Sequence, residues 1–209
     1  KQVSSIKIAE SSKILENIFR DVNIALVNEM AQAFYRMDID ASEVISAAST
    51  KPFGFMAHFP GVGVGGHCIA VDPWFLISAK PSETKLMKCA RETNKDRENK
   101  TRIKIQDQLS EIATDRTKLT VLFMGITYKP NVGDVRESPA LNILSELRLP
   151  KNIIGSVYDP LVLEKPKKIN HYDFYSHLGE EKFDVYIKLV DHDRLDLEKI
   201  GGGTLIDFT

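Results

Sequence analysis

A cysteine set behind a run of glycines, in Pro60-Gly-Val-Gly-Val-Gly-Gly-His-Cys-Ile-Ala-Val-Asp-Pro73, has more chemical reach than anything else in this sequence. Glycines such as Gly63, Gly65 and Gly66 let a ligand approach the backbone and leave N–H groups free to bind anions. Helical patterning resumes just after Cys68, and a cysteine at a helix start meets the positive end of the dipole, which favours the nucleophilic thiolate. Asp72, four residues on, falls on the same helical face. These residues equally fit a flexible loop around a small buried cysteine, since free cysteines are commonly buried.

Two further groups could do chemistry. Lys13 and Asn17, in Ala9-Glu-Ser-Ser-Lys-Ile-Leu-Glu-Asn17, are four apart and share a helix face. An ammonium and a carboxamide aimed at one spot can stabilise a developing oxyanion, although an exposed lysine is also an ordinary surface residue. In Gly125-Ile-Thr-Tyr-Lys-Pro-Asn-Val-Gly-Asp-Val-Arg-Glu-Ser-Pro139, Lys129 suits a diphosphate and Arg136 a phosphate in fork geometry. Ser138 capping a helix with Pro139 in its first position is the structural alternative, and both readings can hold together. His58, His67 and Cys68 match no zinc pattern with a fourth ligand. Cys89, in an apolar pattern with Leu86, and Trp74 with Phe75 read as core residues. His171, His177 and His192 have no recognisable partner pattern.

These groups need elements to hold them. Apolar residues at helical spacing (Ile14, Ile18, Val22, Leu26, Met30, Phe34, widened by Ile24, Val27 and Ala31) predict one long helix from Ile6 to about Met37, buried on several sides. Asp40 with Glu43 is a capping box opening a second helix. Residues 51–68, crowded with Gly and Pro, form a long loop. Helices are expected at 72–79 and, capped by Ser82, from about Lys85 onward, where the mixed charges of 92–104 read as a solvated face. After Thr117 short apolar runs at 119–124, 153–158, 185–190 and 204–208 alternate with helical segments at about 139–148 and 194–199, the pattern of a parallel sheet flanked by helices. The expected organisation is α/β: an all-helical domain over 1–110, then a Rossmann-like domain over 111–209. The loop after residue 124 then lies at the carboxyl end of a strand, where open α/β sheets bind ligands.

The three motifs, in this order, resemble the UDP-glucose/GDP-mannose dehydrogenase family, and the resemblance runs over essentially the whole chain. Gly65-Gly66-His67-Cys68-Ile69-Ala70-Val71-Asp72-Pro73-Trp74 is closest to the branch acting on UDP-N-acetylhexosamines. The resemblance implies Cys68 as nucleophile, Lys13 and Asn17 as oxyanion stabilisers and Asp72 as the general base that orients water. It also implies Gly63, Gly65, Gly66, His67, Tyr128 and Lys129 as substrate-binding residues, Arg136 as a contact to NAD, and the long helix as a dimerisation helix. The implied reaction oxidises a sugar C6 alcohol to a carboxylate through a cysteine thioester, on UDP-N-acetylmannosamine or, as the alternative, UDP-N-acetylglucosamine. Three departures accompany it. The run Gly61-x-Gly63-x-Gly65-Gly66 follows no strand, so a separate NAD-binding domain is expected outside these residues. Where relatives carry an intersubunit arginine, the chain reads Lys51-Pro-Phe-Gly-Phe-Met-Ala-His58, and Lys51 or His58 is the expected substitute. It ends at Asp207-Phe-Thr209, where relatives continue with basic residues. As it stands the chain could serve only as a UDP-sugar-binding and dimerisation module.

Composition sets the outer limits. A net charge of -1, with Lys and Arg dispersed, gives no basic face for nucleic acid. No apolar run is long enough for a membrane span, and the first residues lack signal-peptide character, so a processed start is expected. Two cysteines make no disulfide framework, which suits a reducing, cytoplasmic setting.

Overall fold

The computed structural model describes residues 2–195 and 202–209. The chain divides into two compact units, Lys1–Asp96 and Arg97–Thr209.

The first unit opens with α1 (Ile6–Tyr35), where Ser5 accepts the Ile8 N–H as N-cap. No Gly or Pro interrupts the helix, and Asp38, at φ 56, breaks the chain direction beyond it. Asp40 caps α2 (Ala41–Ser49) through the Ser42 N–H at 2.8 Å, and the reciprocal Glu43 bond of a capping box is not made. Residues 51–71 carry no regular element. They lead into α3 (Asp72–Ala79), with Pro73 in its first turn, and then α4 (Lys85–Ala113), within which the division between units falls.

Several expectations are corrected. Residues 81–83 form a turn, so the residue preceding α4 is Thr84, buried with its hydroxyl donated to Lys80 O, and Ser82 is not the cap. Cys89 is exposed, as are Leu86, Trp74 and Phe75, so none of the four is a core residue. The charged stretch of α4 is largely solvated but buries Asn94 and Thr101. The face α1 buries is Asn17, Ile18, Asp21, Ala25 and Asn28. Ile8, Leu15, Phe19, Leu26 and Met30 are exposed. Their alternation of seven and four residues is an eleven-residue repeat, which places them along one slowly drifting stripe of the helix.

The second unit is a five-stranded parallel sheet in the order β3-β2-β1-β4-β5, from β1 (Leu119–Met124), β2 (Ile153–Tyr158), β3 (Asp173–Tyr175), β4 (Val185–Lys188) and β5 (Thr204–Asp207). Strands β1 and β4 are buried almost throughout, as befits a sheet covered on both faces. Helix α5 (Pro139–Glu146) connects β1 to β2, capped by Ser138 through the Leu141 N–H with Pro139 in its first turn. Strand β3, only three residues long, carried no periodic signal. The expected strand ends at 190 and 208 retreat to Lys188 and Asp207. The helix expected at 194–199 runs into residues outside those described. Gly125, at φ 81, ends β1 where a Cβ would stand 2.5 Å from Val190 O, so only glycine fits. No helix among the described residues is long and apolar enough to cross a membrane.

Asp184 locks β1 to the start of β4. Its carboxylate accepts the Thr120 N–H at 2.8 Å and hydroxyl at 2.7 Å, with Arg116 at 3.2 Å. The Thr120 backbone bond, then its hydroxyl, hold the Asp184 carboxyl below its ordinary range. A depressed carboxyl stabilises the fold above its unfolded pKa of about 4, and that contribution disappears as pH falls through the folded value. Asp184→Asn is therefore expected to lower the thermal midpoint at pH 7, with the gap from the parent closing on descent to about pH 3. Thermal unfolding followed by circular dichroism at both pH values checks this, and an undiminished gap at low pH would exclude the charge as the source.

Candidate active site

In the first unit, Gly66 takes φ 81, a conformation that turns the chain at the end of the glycine run. Residues 67–71 then form turns in which Cys68 O accepts the Val71 N–H at 3.3 Å and the Asp72 N–H at 2.8 Å. Cys68 thus lies one turn ahead of α3, fixed at its carbonyl, and it is exposed. The reading of a small buried cysteine is excluded. His67 is exposed, while Gly63 and Gly65 are half-buried.

Asp72 opens α3, and its Oδ2 accepts from Asn17 Nδ2 at 2.5 Å. Asn17 is buried on α1, so this bond joins the two helices beside the cysteine turn. Lys13, one turn earlier, is exposed and its ammonium meets Glu16 at 3.2 Å. The structure therefore brings Asn17 to Asp72 and sets Lys13 in a separate surface ion pair.

The glycine loop is gripped at both ends by a buried polar network. Gly61 N–H donates to Asn28 Oδ1 at 3.0 Å, and Asn28 Nδ2 donates to Asn94 Oδ1 at 3.3 Å. Asn94 Nδ2 donates to Asp21 Oδ1 at 2.8 Å and to Asp21 O at 2.9 Å. Arg91 Nη1 reaches Asp21 Oδ1 at 2.7 Å and, at 3.1 Å, the carbonyl of Ile69, next to the cysteine. Both charged side chains are buried, 6% and 1% exposed. Burial pushes the Asp21 carboxyl up, and Arg91 and Asn94 draw it back without cancelling the rise. Arg91 Nε has no partner among the described residues. Sequence reasoning missed all four residues. The available signal was the row Asn17, Asp21 and Asn28 at helical spacing, which places three polar groups on one helix face.

In the second unit the chemistry gathers at the carboxyl ends of β1, β2 and β4. Buried Asp159, just past β2, accepts the Ile126 N–H at 2.7 Å and the Leu161 N–H at 2.9 Å. Buried His192 places Nε2 3.2 Å from Asp159 Oδ2 and 3.1 Å from Thr127 Oγ1, and its Nδ1 accepts the Asn131 N–H at 2.9 Å. Lys129 is exposed over the half-buried Tyr128 ring at 5.4 Å. Arg136 is exposed, and its Nε and Nη2 fork onto Asp134, which raises the guanidinium further. Lys188, nearly buried, bridges Asp207 at 2.8 Å and Asp191 at 3.0 Å. Burial alone would push that ammonium down, and the two carboxylates outweigh it, so the net direction is upward. Among the described residues no cluster of three His, Cys, Asp or Glu could hold a metal ion.

A parallel sheet with loops gathered at its carboxyl ends follows a helical unit that presents a cysteine at a glycine turn. The chain belongs to the UDP-glucose/GDP-mannose dehydrogenase family: residues 7–96 match its central domain and residues 122–204 its UDP binding domain. Among relatives, UDP-N-acetyl-D-mannosamine dehydrogenase of Campylobacter jejuni is 37% identical over 169 residues, 81% of this chain and 40% of its own length. NDP-N-acetyl-D-galactosaminuronic acid dehydrogenase of Ralstonia nicotianae is 32% identical over 98% of this chain and 48% of its own. The structure of UDP-N-acetyl-mannosamine dehydrogenase from S. aureus superposes with a TM-score of 0.77 at 31% identity, covering 98% of this chain and 48% of that one. The chain thus spans less than half the length of these relatives.

Removing one member of a buried ion pair strands the other. Arg91→Met is therefore expected to cost about 3–5 kcal/mol of unfolding free energy by urea titration, and adding Asp21→Leu should recover most of it. A cost below about 1 kcal/mol, the value of an exposed pair, would contradict the buried geometry.

Proposed function

We propose that this chain is the sugar-nucleotide-handling part of an NAD-dependent 6-dehydrogenase for a UDP-N-acetylhexosamine, with UDP-N-acetyl-D-mannosamine as substrate. The observation that carries the proposal is the turn in which exposed Cys68 is tied through its carbonyl to Asp72, itself held by Asn17. The name of the Campylobacter relative supports the mannosamine substrate.

In the proposed reaction the C6 alcohol becomes an aldehyde, Cys68 Sγ adds to it, and the resulting thiohemiacetal is oxidised to a thioester that water cleaves to the carboxylate. Two NAD molecules, bound in succession, would supply the two hydride acceptors. Holding the sugar covalently presents the aldehyde carbon for the second oxidation and prevents its escape. Asn17 gives one amide hydrogen to Asp72 and keeps the other for the developing oxyanion. Lys13 reaches the same oxyanion on release from Glu16, an exposed pair of small energetic weight. Asp72 takes the proton of the hydrolytic water. Gly63, Gly65, Gly66 and His67 line the sugar, and Tyr128 and Lys129 meet the nucleotide.

Arg136 fits a contact to NAD: its fork with Asp134 uses Nε and Nη2 and leaves Nη1 for a phosphate. The run Gly61–Gly66 does not supply a dinucleotide fold, because no strand among the described residues precedes Leu119. On this reading these 209 residues bind the sugar nucleotide without reducing NAD by themselves, in a reducing cytoplasmic setting that suits two free thiols. The exposed α1 seam favours a further role in self-association, its occupant being the same seam on a second copy, as in a two-fold interface that covers one apolar patch with its own equivalent.

Iodoacetamide labelling near neutral pH, with Cys68 and Cys89 quantified separately by peptide mass spectrometry, tests the nucleophile. Both thiols are exposed, so Cys89 serves as internal reference. Cys68 is expected to react on the order of tenfold faster and to be protected by UDP-N-acetylmannosamine. Equal rates without protection would overturn the assignment. For the seam, Leu15→Glu with Leu26→Glu is expected to yield monomers by sedimentation velocity at concentrations where the parent is at least dimeric.

A further inference from the structure

The loop that carries Lys129 has almost no regular structure, yet it closes on one imidazole. Asn131 N–H donates to His192 Nδ1 at 2.9 Å, so Nδ1 is the acceptor and Nε2 carries the ring hydrogen. That hydrogen faces Asp159 Oδ2 at 3.2 Å and Thr127 Oγ1 at 3.1 Å, and the Thr127 hydroxyl donates onward to Lys129 O at 3.0 Å. His192 thus holds both feet of the five residues 127–131, with Lys129 at their middle. Asn131 stands at φ 60, a strained position for a non-glycine residue, and is gripped a second time by the Asp193 N–H on its side-chain oxygen. The imidazole is 2% exposed, and both its nitrogens are already engaged within the protein.

We propose that His192, oriented by Asp159, is a positioning residue that fixes Lys129 for the diphosphate of a uridine nucleotide. The inference rests on the reading of the second unit as the one that binds the nucleotide. An exposed lysine on a free loop would lose side-chain and backbone freedom on meeting a diphosphate, whereas a loop already closed on His192 has lost the backbone part beforehand. Asp159 sets the direction of the clamp: by accepting at Nε2 it keeps that nitrogen protonated and leaves Nδ1 free to accept from the loop.

Calorimetric titration with UDP, on the chain and four variants, tests this. His192→Gln keeps a donor toward Asp159 but offers no acceptor at the Nδ1 position, and His192→Asn offers its Oδ1 close to where Nδ1 stood. The Gln variant is expected to bind UDP on the order of tenfold more weakly, as Lys129→Ala does, while the Asn variant stays within about threefold of the parent. The double variant Lys129→Ala with His192→Gln is expected to bind no more weakly than Lys129→Ala alone, because a residue acting through Lys129 has no effect once that lysine is gone. Losses that multiply in the double variant, or parent-like binding by His192→Gln, would overturn the inference. So would a tenfold loss in His192→Asn with native circular dichroism, which also decides the matter should the Gln variant not fold. A parent that does not bind UDP would remove the nucleotide-binding reading and this inference with it.

Discussion

The first unit turns on the pairing of Arg91 with Asp21 inside the protein. Neither charge would remain buried alone, because the desolvation of either is repaid only by the other and by the hydrogen bonds around them. That requirement fixes how α1 lies against α4: a sliding or rotated helix would separate two groups that cannot be separated cheaply. The spare bonding capacity of the same network is spent on the loop, through Arg91 on Ile69 O and through Asn28 on Gly61 N–H. A segment so rich in glycine has little order of its own, and here its geometry is imposed from the helices on either side.

The second unit solves a similar problem with different means. A parallel sheet delivers β1, β2 and β4 to one end with their next residues side by side. The chain leaves β1 at Gly125, where close approach to Val190 leaves no room for a side chain. Beyond it the loop accepts positive φ at Asn131 and Glu137, conformations that persist only when the surroundings over-determine them. Asp159 and His192 supply that determination for Asn131 from within the protein, and Ser138 does so at the far foot by bonding Thr127 O and capping α5. The basic groups the loop exposes are therefore set on a frame whose polar atoms are already satisfied. Lys188, bonded between Asp191 and Asp207, closes the neighbouring strand ends in the same way.

Helix α1 shows how one element serves two surroundings. Its buried face includes Asn17, Asp21 and Asn28, each bonded to another segment, and its exposed side carries Leu15, Phe19, Leu26 and Met30 among charged residues. Hydropathy by itself assigns these faces the other way round. Polar groups go inside here because each finds a hydrogen-bond partner there, which removes most of the penalty for their burial.

What the sequence determined by itself was local. Helical and extended periods placed α1, α3, β1 and β2 and the Ser138–Pro139 start of α5 within a residue or two, because those signals come from neighbouring side chains and from caps one turn away. The glycine run before Cys68 and the loop holding Lys129 and Arg136 were equally legible, since backbone freedom and charge can be read residue by residue. The tertiary structure alone decided the rest. Partners such as Asp21 with Arg91, Asn17 with Asp72, or Asp159 with His192 lie tens of residues apart, and no local pattern says which buried polar group will find which. Strand β3 exists because β2 offers it an edge, and Cys89 is exposed because helix packing, which no window of sequence contains, turned its side of α4 outward.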